Sequence, residues 1–390
     1  MGKLVLIDGH SILNRAFYGV PELTNSEGLH TNAVYGFLNI MFKILEEEKP
    51  DHLAVAFDLK EPTFRHKMYA DYKGTRKPMP EELREQVPLM KEVLAAMGVP
   101  ILTMAGYEAD DILGTIAKRC QAEGEEVSVV SGDRDLLQLA DTHIKIRIPK
   151  TSRGTTEIHD YYPEDVKREY QVTPTEFIDV KALMGDTSDN IPGVPSIGEK
   201  TATNLIVAYG SIENAYAHLE EVKPPRAKKA LEEHYDMAVM SKELAQICIT
   251  CPIPFAYEDA KIENLYNPEA YQYMKRLEFK SILARFDVQD MGGNSVEEHF
   301  WSVEDLSGAE QIFEKAKGAK QVGCQLILAE NQVAGLAICI GEEEIYTIPA
   351  AGFLTGNYLC DHLEELIAKR DPALEPVAVL DLKSQLPYLN

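Results

Sequence analysis

Hydrophobic and polar positions follow two rhythms in the first 150 residues. Short apolar runs, Leu4-Val5-Leu6-Ile7, Leu53-Ala54-Val55-Ala56-Phe57 and Val127-Ser128-Val129-Val130, fit buried strands and are too short for helices. Each leads into acid: Asp8, Asp58, and Asp133 with Asp135. Between them apolar residues recur every three or four positions, as at Val34, Phe37, Leu38, Met41, Ile44 and Leu45, which predicts helices. Strands alternating with helices predict parallel βαβ units with helices on both faces of the sheet. Ligands of such sheets bind at the carboxyl ends of the strands, where these acids fall. Turn capping explains one strand-end Asp easily and all three together poorly.

Residues 60–105 interrupt the rhythm. A stretch holding Arg65, His66, Lys67, Tyr69, Tyr72, Lys73, Arg76 and Lys77 passes Pro78 and Pro80 into a helix carrying Leu83, Val87, Met90, Val93 and Leu94. From Thr173 to about Asp290 helical spacing dominates, predicting a second, all-α part. Met291-Gly-Gly-Asn-Ser295 reads as a linker, bounded at 291–297. Strand signals return at 322–328, 333–340 and 345–348. The predicted domains are therefore 1–172 (α/β), 173–290 (all-α) and 298–390 (α/β).

Charge narrows the function. The 390 residues carry 39 Lys plus Arg against 63 Asp plus Glu, a formal charge of −24. That excludes coating nucleic acid by bulk positive charge and leaves room for a local basic patch. Six Cys without regular spacing do not make a disulfide framework. The early apolar run stops at Asp8, so neither a signal peptide nor a membrane span is expected, and a cytoplasmic setting is.

Further acids extend the strand-end set. Gly106-Tyr-Glu-Ala-Asp-Asp111 opens a helix with Glu108, Asp110 and Asp111, and Gly185-Asp-Thr-Ser-Asp-Asn190 supplies Asp186 and Asp189. With Asp8, Asp58, Asp133 and Asp135 these make nine carboxylates. Two unpaired like charges about 4 Å apart repel by roughly 4 kcal/mol at an effective dielectric near 20. Several such pairs would exceed a domain's whole stability of about 5–15 kcal/mol, so converging acids must hold cations or protons. Oxygen donors without clustered His or Cys favour Mg²⁺ or Mn²⁺ over Zn²⁺. Two such ions suit phosphodiester hydrolysis, activating water and stabilising the leaving oxygen.

Two segments complete the chemistry. Cations interleaved with Tyr69 and Tyr72 suit single-stranded nucleic acid, and Lys73 and Arg76, three apart, would share a helix face. The 191–202 segment imitates a P-loop, but Glu199 separates Gly198 from Lys200. A helix-hairpin-helix is expected instead: Gly193 and Gly198 let the backbone approach a phosphate, and the amides opening the next helix donate to it. Cys248-Ile-Thr-Cys251 is a lone pair and reads as coincidence.

Together these residues resemble the amino-terminal 5′-nuclease region of the bacterial DNA polymerase I family, a relative of flap endonucleases. The matching strings are Leu6-Ile-Asp-Gly-His-Ser11, Val55-Ala-Phe-Asp58, Phe64-Arg-His-Lys67, Tyr72-Lys-Gly-Thr-Arg76, Gly106-Tyr-Glu-Ala-Asp-Asp111 and Gly132-Asp-Arg-Asp135. Around the hairpin they are Gly185-Asp-Thr-Ser-Asp-Asn-Ile-Pro-Gly-Val194 and Gly198-Glu-Lys-Thr-Ala202. The likeness runs from residue 1 to about 290. It implies a PIN-like α/β nuclease domain, a helical arch at about 60–105 through which a 5′ flap passes, and an all-α helix-hairpin-helix part on the downstream duplex. The implied activity is metal-dependent 5′-3′ exonuclease and 5′-flap endonuclease cleavage of DNA, in primer removal, nick translation and repair. By resemblance Asp8, Asp58, Asp111, Asp133, Lys73 and Arg76 are catalytic, and the nine acids hold two or more Mg²⁺ or Mn²⁺, with K⁺ at the hairpin. Arg65, Tyr72, Lys73, Arg76, Gly193, Gly198 and Lys200 would contact DNA, with Tyr72 stacking a base. Implied partners are flap, branched and nicked DNA, RNA primer–DNA hybrids and a polymerase domain outside this chain, which acts as a monomer.

Residues 298–390 resemble the start of the family's proofreading 3′-5′ exonuclease, a partial RNase H-like α/β domain. Cys324-Gln-Leu-Ile327 stands where Asp-x-Glu is expected, and Asp381-Leu-Lys-Ser-Gln385 where Asn-Leu-Lys-Tyr-Asp is. Two rival readings remain for the first 290 residues. A PIN-type endoribonuclease would need neither hairpin nor basic arch, and a non-catalytic branched-DNA-binding module would have lost acids.

Overall fold

A computed structural model describes residues 2–152, 155–286, 300–329, 332–341 and 344–389. The chain forms two compact units, Met1–Phe286 and Asp287–Asn390. The expected linker at 291–297 lies outside the described residues.

The first unit opens with β1 (Lys3–Asp8), α1 (Gly9–Gly19), α2 (Asn32–Glu48) and β2 (His52–Ala56). Then come α3 (Phe64–Met68), α4 (Glu81–Ala96), β3 (Ile101–Leu102), α5 (Ala109–Ala122), β4 (Glu126–Val130), β5 (Ile144–Ser152) and β6 (Thr155–Tyr161). The sheet order is β3-β2-β1-β4-β5-β6. Its first five strands are parallel and β6 is antiparallel to β5. The central strand β1 is buried on both faces, with Leu4, Val5 and Leu6 fully enclosed, as a parallel strand covered by helices must be. The three expected strands form the middle of the sheet. The two-residue β3 and the β5–β6 hairpin were not foreseen.

A helical part follows: α6 (Pro163–Tyr170), α7 (Pro174–Met184), α8 (Glu199–Tyr209), α9 (Ile212–Ala217), α10 (Pro225–Glu233), α11 (Tyr235–Ala245), α12 (Pro268–Arg276) and α13 (Lys280–Leu283). Thr173 and Glu176 close a capping box on α7, and Pro174 occupies its first turn. The loop from α7 to α8 packs backbone against backbone. Gly185 and Gly193 both have positive φ, and a Cβ on Gly193 would lie 2.4 Å from the Gly185 nitrogen. Ala202 is fully buried. One hydrophobic core runs from Leu4 in β1 through Ile116 in α5 to Leu183, Leu205 and Ala238, so the α/β and helical parts share it.

The second unit comprises β7 (Phe300–Ser302), α14 (Leu306–Gly318), β8 (Val322–Ala329), β9 (Gln332–Ile340), β10 (Glu344–Pro349), α15 (Gly356–Ala368), β11 (Ala378–Val379) and α16 (Leu382–Gln385). Its sheet order is β11-β8-β9-β10-β7, an antiparallel meander β8-β9-β10 with a parallel strand at each edge. Phe313 of α14 and Leu359 and Leu363 of α15 lie in its core.

Candidate active site

The sheet brings strand ends together. Asp8 pairs in register with Ala56, two residues before Asp58. The Asp8 carboxylate accepts from the Ser11 amide at 3.1 Å and the Ser131 hydroxyl at 2.7 Å, which fixes it at the start of α1. Asp58 accepts from the Ala109 amide at 2.8 Å, at the start of α5. The Asp58 amide donates to His10 Nδ1 at 3.2 Å, and that nitrogen lies 3.3 Å from the Asp58 carboxylate. Asp133 accepts from the Asp135 amide at 2.9 Å and caps the short helix Arg134–Leu139. Asp110 stands in the first turn of α5.

Asp8, Asp58, Glu108, Asp110 and Asp133 line one cavity of about 1140 Å³. Lys73, Arg76, Arg84, Lys91 and Arg15 line it too. Burial, then Asp58, pushes Asp8 up to about 6. Burial, then Asp8, Asp133 and Asp58, holds Asp110 well above its ordinary value. Asp58 goes the other way: burial would raise it, but the His10 contact and the Ala109 amide outweigh burial and bring it to about 2. Among the described residues no three His, Cys, Asp or Glu side chains are grouped so as to hold an ion as they stand.

Glu108 and the four acids outside that lining each have a cationic partner within the chain. Lys181 of α7 lies 2.8 Å from Asp135 and forms a second ion pair with Asp186. Burial and then Asp133 push Asp135 up to about 7. For Asp186 burial is outweighed by Lys181 and Ser188, leaving it at about 2. Glu108 accepts from Lys73 at 2.8 Å and the Tyr72 hydroxyl at 3.1 Å, and Asp189 pairs with Arg76 and accepts from Tyr72 at 3.1 Å. Asp111 is fully buried and takes both Arg65 nitrogens at 2.8 Å, along with the Glu108 and Cys248 amides. Its oxygens face this ion pair.

The basic stretch also differs from expectation. Lys73 has a left-handed backbone (φ 56°), so Lys73 and Arg76 sit on a turn rather than one helix face. That turn is strapped to the loop before the hairpin: the Lys73 amide donates to the Asp189 carbonyl at 2.8 Å, and Arg76 Nε to the Ser188 carbonyl at 3.2 Å. Arg65 and Tyr72 are each 3% exposed, so neither presents itself to DNA. The Gly193 amide donates to Ser241 at 3.1 Å and is not left for a phosphate. Gly198 and Lys200 lie exposed at the start of α8.

Sequence reasoning missed Lys181, Arg84 and Lys91, as well as one face of α1. Ser11, Asn14, Arg15 and Tyr18 recur at helical spacing after Asp8 and all line the cavity. That polar stripe was the available signal. Arg15 Nε is buried there without a hydrogen-bond partner.

Residues 3–171 match the family model of the 5′-3′ exonuclease N-terminal resolvase-like domain, and residues 172–268 that of its C-terminal SAM fold. The chain is 47% identical over 285 residues to DNA polymerase I of Bacillus caldotenax, covering 73% of this chain and 32% of that protein. It is 45% identical over 306 residues to DNA polymerase I of Bacillus subtilis, covering 78% and 34%. The chain thus spans about a third of the length of these relatives. In fold it is similar to the T5 5′-exonuclease solved with divalent zinc ions, with a TM-score of 0.53 and 21% identity over 73% of this chain and 99% of the other. The two domain models run without a break from β1 to α12 across the acidic cavity, and the chain belongs to the 5′-3′ exonuclease family.

Proposed function

We propose that residues 2–286 hydrolyse phosphodiester bonds near the 5′ end of flapped or nicked DNA, including the ends left by RNA primers. The observation that carries this reading is the meeting of Asp8, Asp58, Asp110 and Asp133 with Lys73, Arg76, Arg15 and Lys91 in one cavity. The donor set fits a hard divalent cation. It offers only oxygen, and burial followed by the neighbouring acids raises Asp8 and Asp110. Those four residues would hold Mg²⁺, which when bound activates water and offsets charge on the leaving oxygen.

The chain's own residues supply the rest. Ser11 and Ser131 fix the rotamer of Asp8, and the Ala109 amide that of Asp58. Glu108 and Asp189 hold Lys73 above its ordinary value against the lowering effect of burial, so it meets a phosphate as a full cation. Arg15 brings an unpartnered donor to the same cavity. A labelled 5′-flap duplex should be cut with Mg²⁺ and untouched in EDTA. Cleavage of single-stranded RNA in its place would favour the endoribonuclease, and flap binding without cleavage the non-catalytic module.

We infer that residues 300–389 perform no metal-dependent 3′-5′ hydrolysis. Gln385 Nε2 donates to Gln325 Oε1 at 2.7 Å, a neutral amide pair where the resemblance expects two carboxylates.

A further inference from the structure

We propose that Tyr18 is a nucleobase-stacking platform of the nuclease cavity. The inference rests on the reading of that cavity as a nuclease site and adds a base-binding subsite to it. A single strand gripped only through its phosphates lacks the aromatic contacts that single-strand sites use. Tyr72 cannot supply one, because its ring is enclosed and its hydroxyl is committed to Glu108 and Asp189. Among the described residues, Tyr18 is the one Phe, Tyr or Trp lining the cavity, and it is 70% exposed.

Exposure alone would mean little, since single exposed aromatics are ordinary. Position singles Tyr18 out. It continues the face of α1 that begins at Asp8, the cap of the helix, and runs through Ser11 and Arg15. Ten residues at about 1.5 Å each put Tyr18 roughly 15 Å along the helix from Asp8. At about 3.4 Å per stacked nucleotide that is some four nucleotides from the acids, and fewer for an extended strand. Arg15, one turn nearer the acids, lines the same cavity, and its buried Nε has no hydrogen-bond partner. The face therefore reads as metal-side acid, phosphate donor, then base platform. The Phe17 ring braces Tyr18, with centroids 5.1 Å apart and planes at 83°.

The test is steady-state cleavage of a 5′-flap duplex in Mg²⁺ by the wild-type chain, Tyr18→Ala and Tyr18→Phe, with a series of flaps each carrying one abasic site. Loss of one stacked base should raise KM by roughly 5- to 150-fold for Tyr18→Ala while leaving kcat alone, as expected for binding shared by ground and transition states. Tyr18→Phe should restore the wild-type KM. One abasic position within about four nucleotides of the cut should raise KM for the wild type and add nothing in Tyr18→Ala. An unchanged KM in Tyr18→Ala, a Phe variant as weak as Ala, or an abasic effect equal in both proteins would each overturn the platform. A wild-type chain that fails to cut any flap removes the nuclease reading as well. Cleavage that ignores Tyr18 removes the platform alone.

Discussion

In the nuclease unit Asp8, Asp58, Asp110 and Asp133 face one cavity, and burial together with mutual repulsion holds Asp8 and Asp110 above their ordinary values. In the C-terminal unit the Gln325 and Gln385 side chains satisfy each other. Gln385, fully buried, also accepts from the Leu326 amide at 2.8 Å and donates to the Asp381 carbonyl at 3.0 Å. A folded chain gains nothing in stability by crowding acids. It gains by closing a neutral hydrogen-bond network. The first arrangement is relieved by cations or protons, and the second needs neither.

The sharpest way to break this contrast is to neutralise one acid. Asp133→Asn should lower the single-turnover rate of flap cleavage about 10³-fold, the upper end for losing one preorganised charge-stabilising group and about 4 kcal/mol of barrier. Flap binding should persist, because less negative charge then faces the phosphates. Wild-type rates at millimolar Mg²⁺ would remove Asp133 from the reacting set.

Neighbouring acids on one helix turn should behave differently. Asp110 faces the cavity, whereas Asp111 is locked to Arg65. Breaking a buried pair from one side costs about 3 kcal/mol or more, so Asp111→Asn should unfold well before the wild type in urea. Below its melting point it should still cut flaps. A variant that melts normally yet cannot cut would return Asp111 to the catalytic group.

The contrast also has a pH signature. A carboxyl group raised by folding binds its proton more tightly folded than unfolded, so stability falls as pH climbs from about 4 toward the raised value. With Asp8 at about 6 and Asp135 at about 7, the metal-free nuclease unit should weaken steadily between pH 4 and 7. Asp58 and Asp186, both at about 2, act oppositely, and their contribution is lost only as pH drops below about 4. In the C-terminal unit Glu344 and Glu365 are held below the carboxylate range by Lys315 and Lys369, so that unit should not weaken over this window. Hydrogen exchange reads the two units separately, with and without Mg²⁺. Equal pH trends in both would contradict the strain assigned to the acids.

Much of this was legible in the chain. Apolar runs ending in acid located β1, β2 and β4, because a parallel sheet fixes both the burial of a strand and the end where its ligand sits. Pairing was not legible. Whether an acid is free or neutralised depends on residues distant in sequence: Arg65 meets Asp111 from another helix, and Lys181 of α7 reaches Asp135 across the helical part. The same holds for Tyr72, whose spacing beside Lys73 reads as a surface platform while its ring packs with Ile191 and Leu244. The α1 stripe was legible by period, but a polar face on a surface helix is usually only solvated.

The smallest expected effect lies in the C-terminal unit. Gln385→Ala leaves the Leu326 amide and the Gln325 side chain without partners in a buried place. Replacing both partners would cost little, but stranding one costs its desolvation, about 1 kcal/mol at the low end for neutral groups. The unit should therefore exchange amide hydrogens faster along β8, while the flap-cleavage rate of the same protein stays at the wild-type value. Gln325→Ala with Gln385→Ala should lose less than the sum of the two single variants, since each alone already breaks the shared bond. Additive losses would mean the amides act separately. A fall in cleavage with intact nuclease-unit exchange would mean that the neutral pair serves the acidic cavity after all, and the contrast between a charged site and a satisfied one would fail.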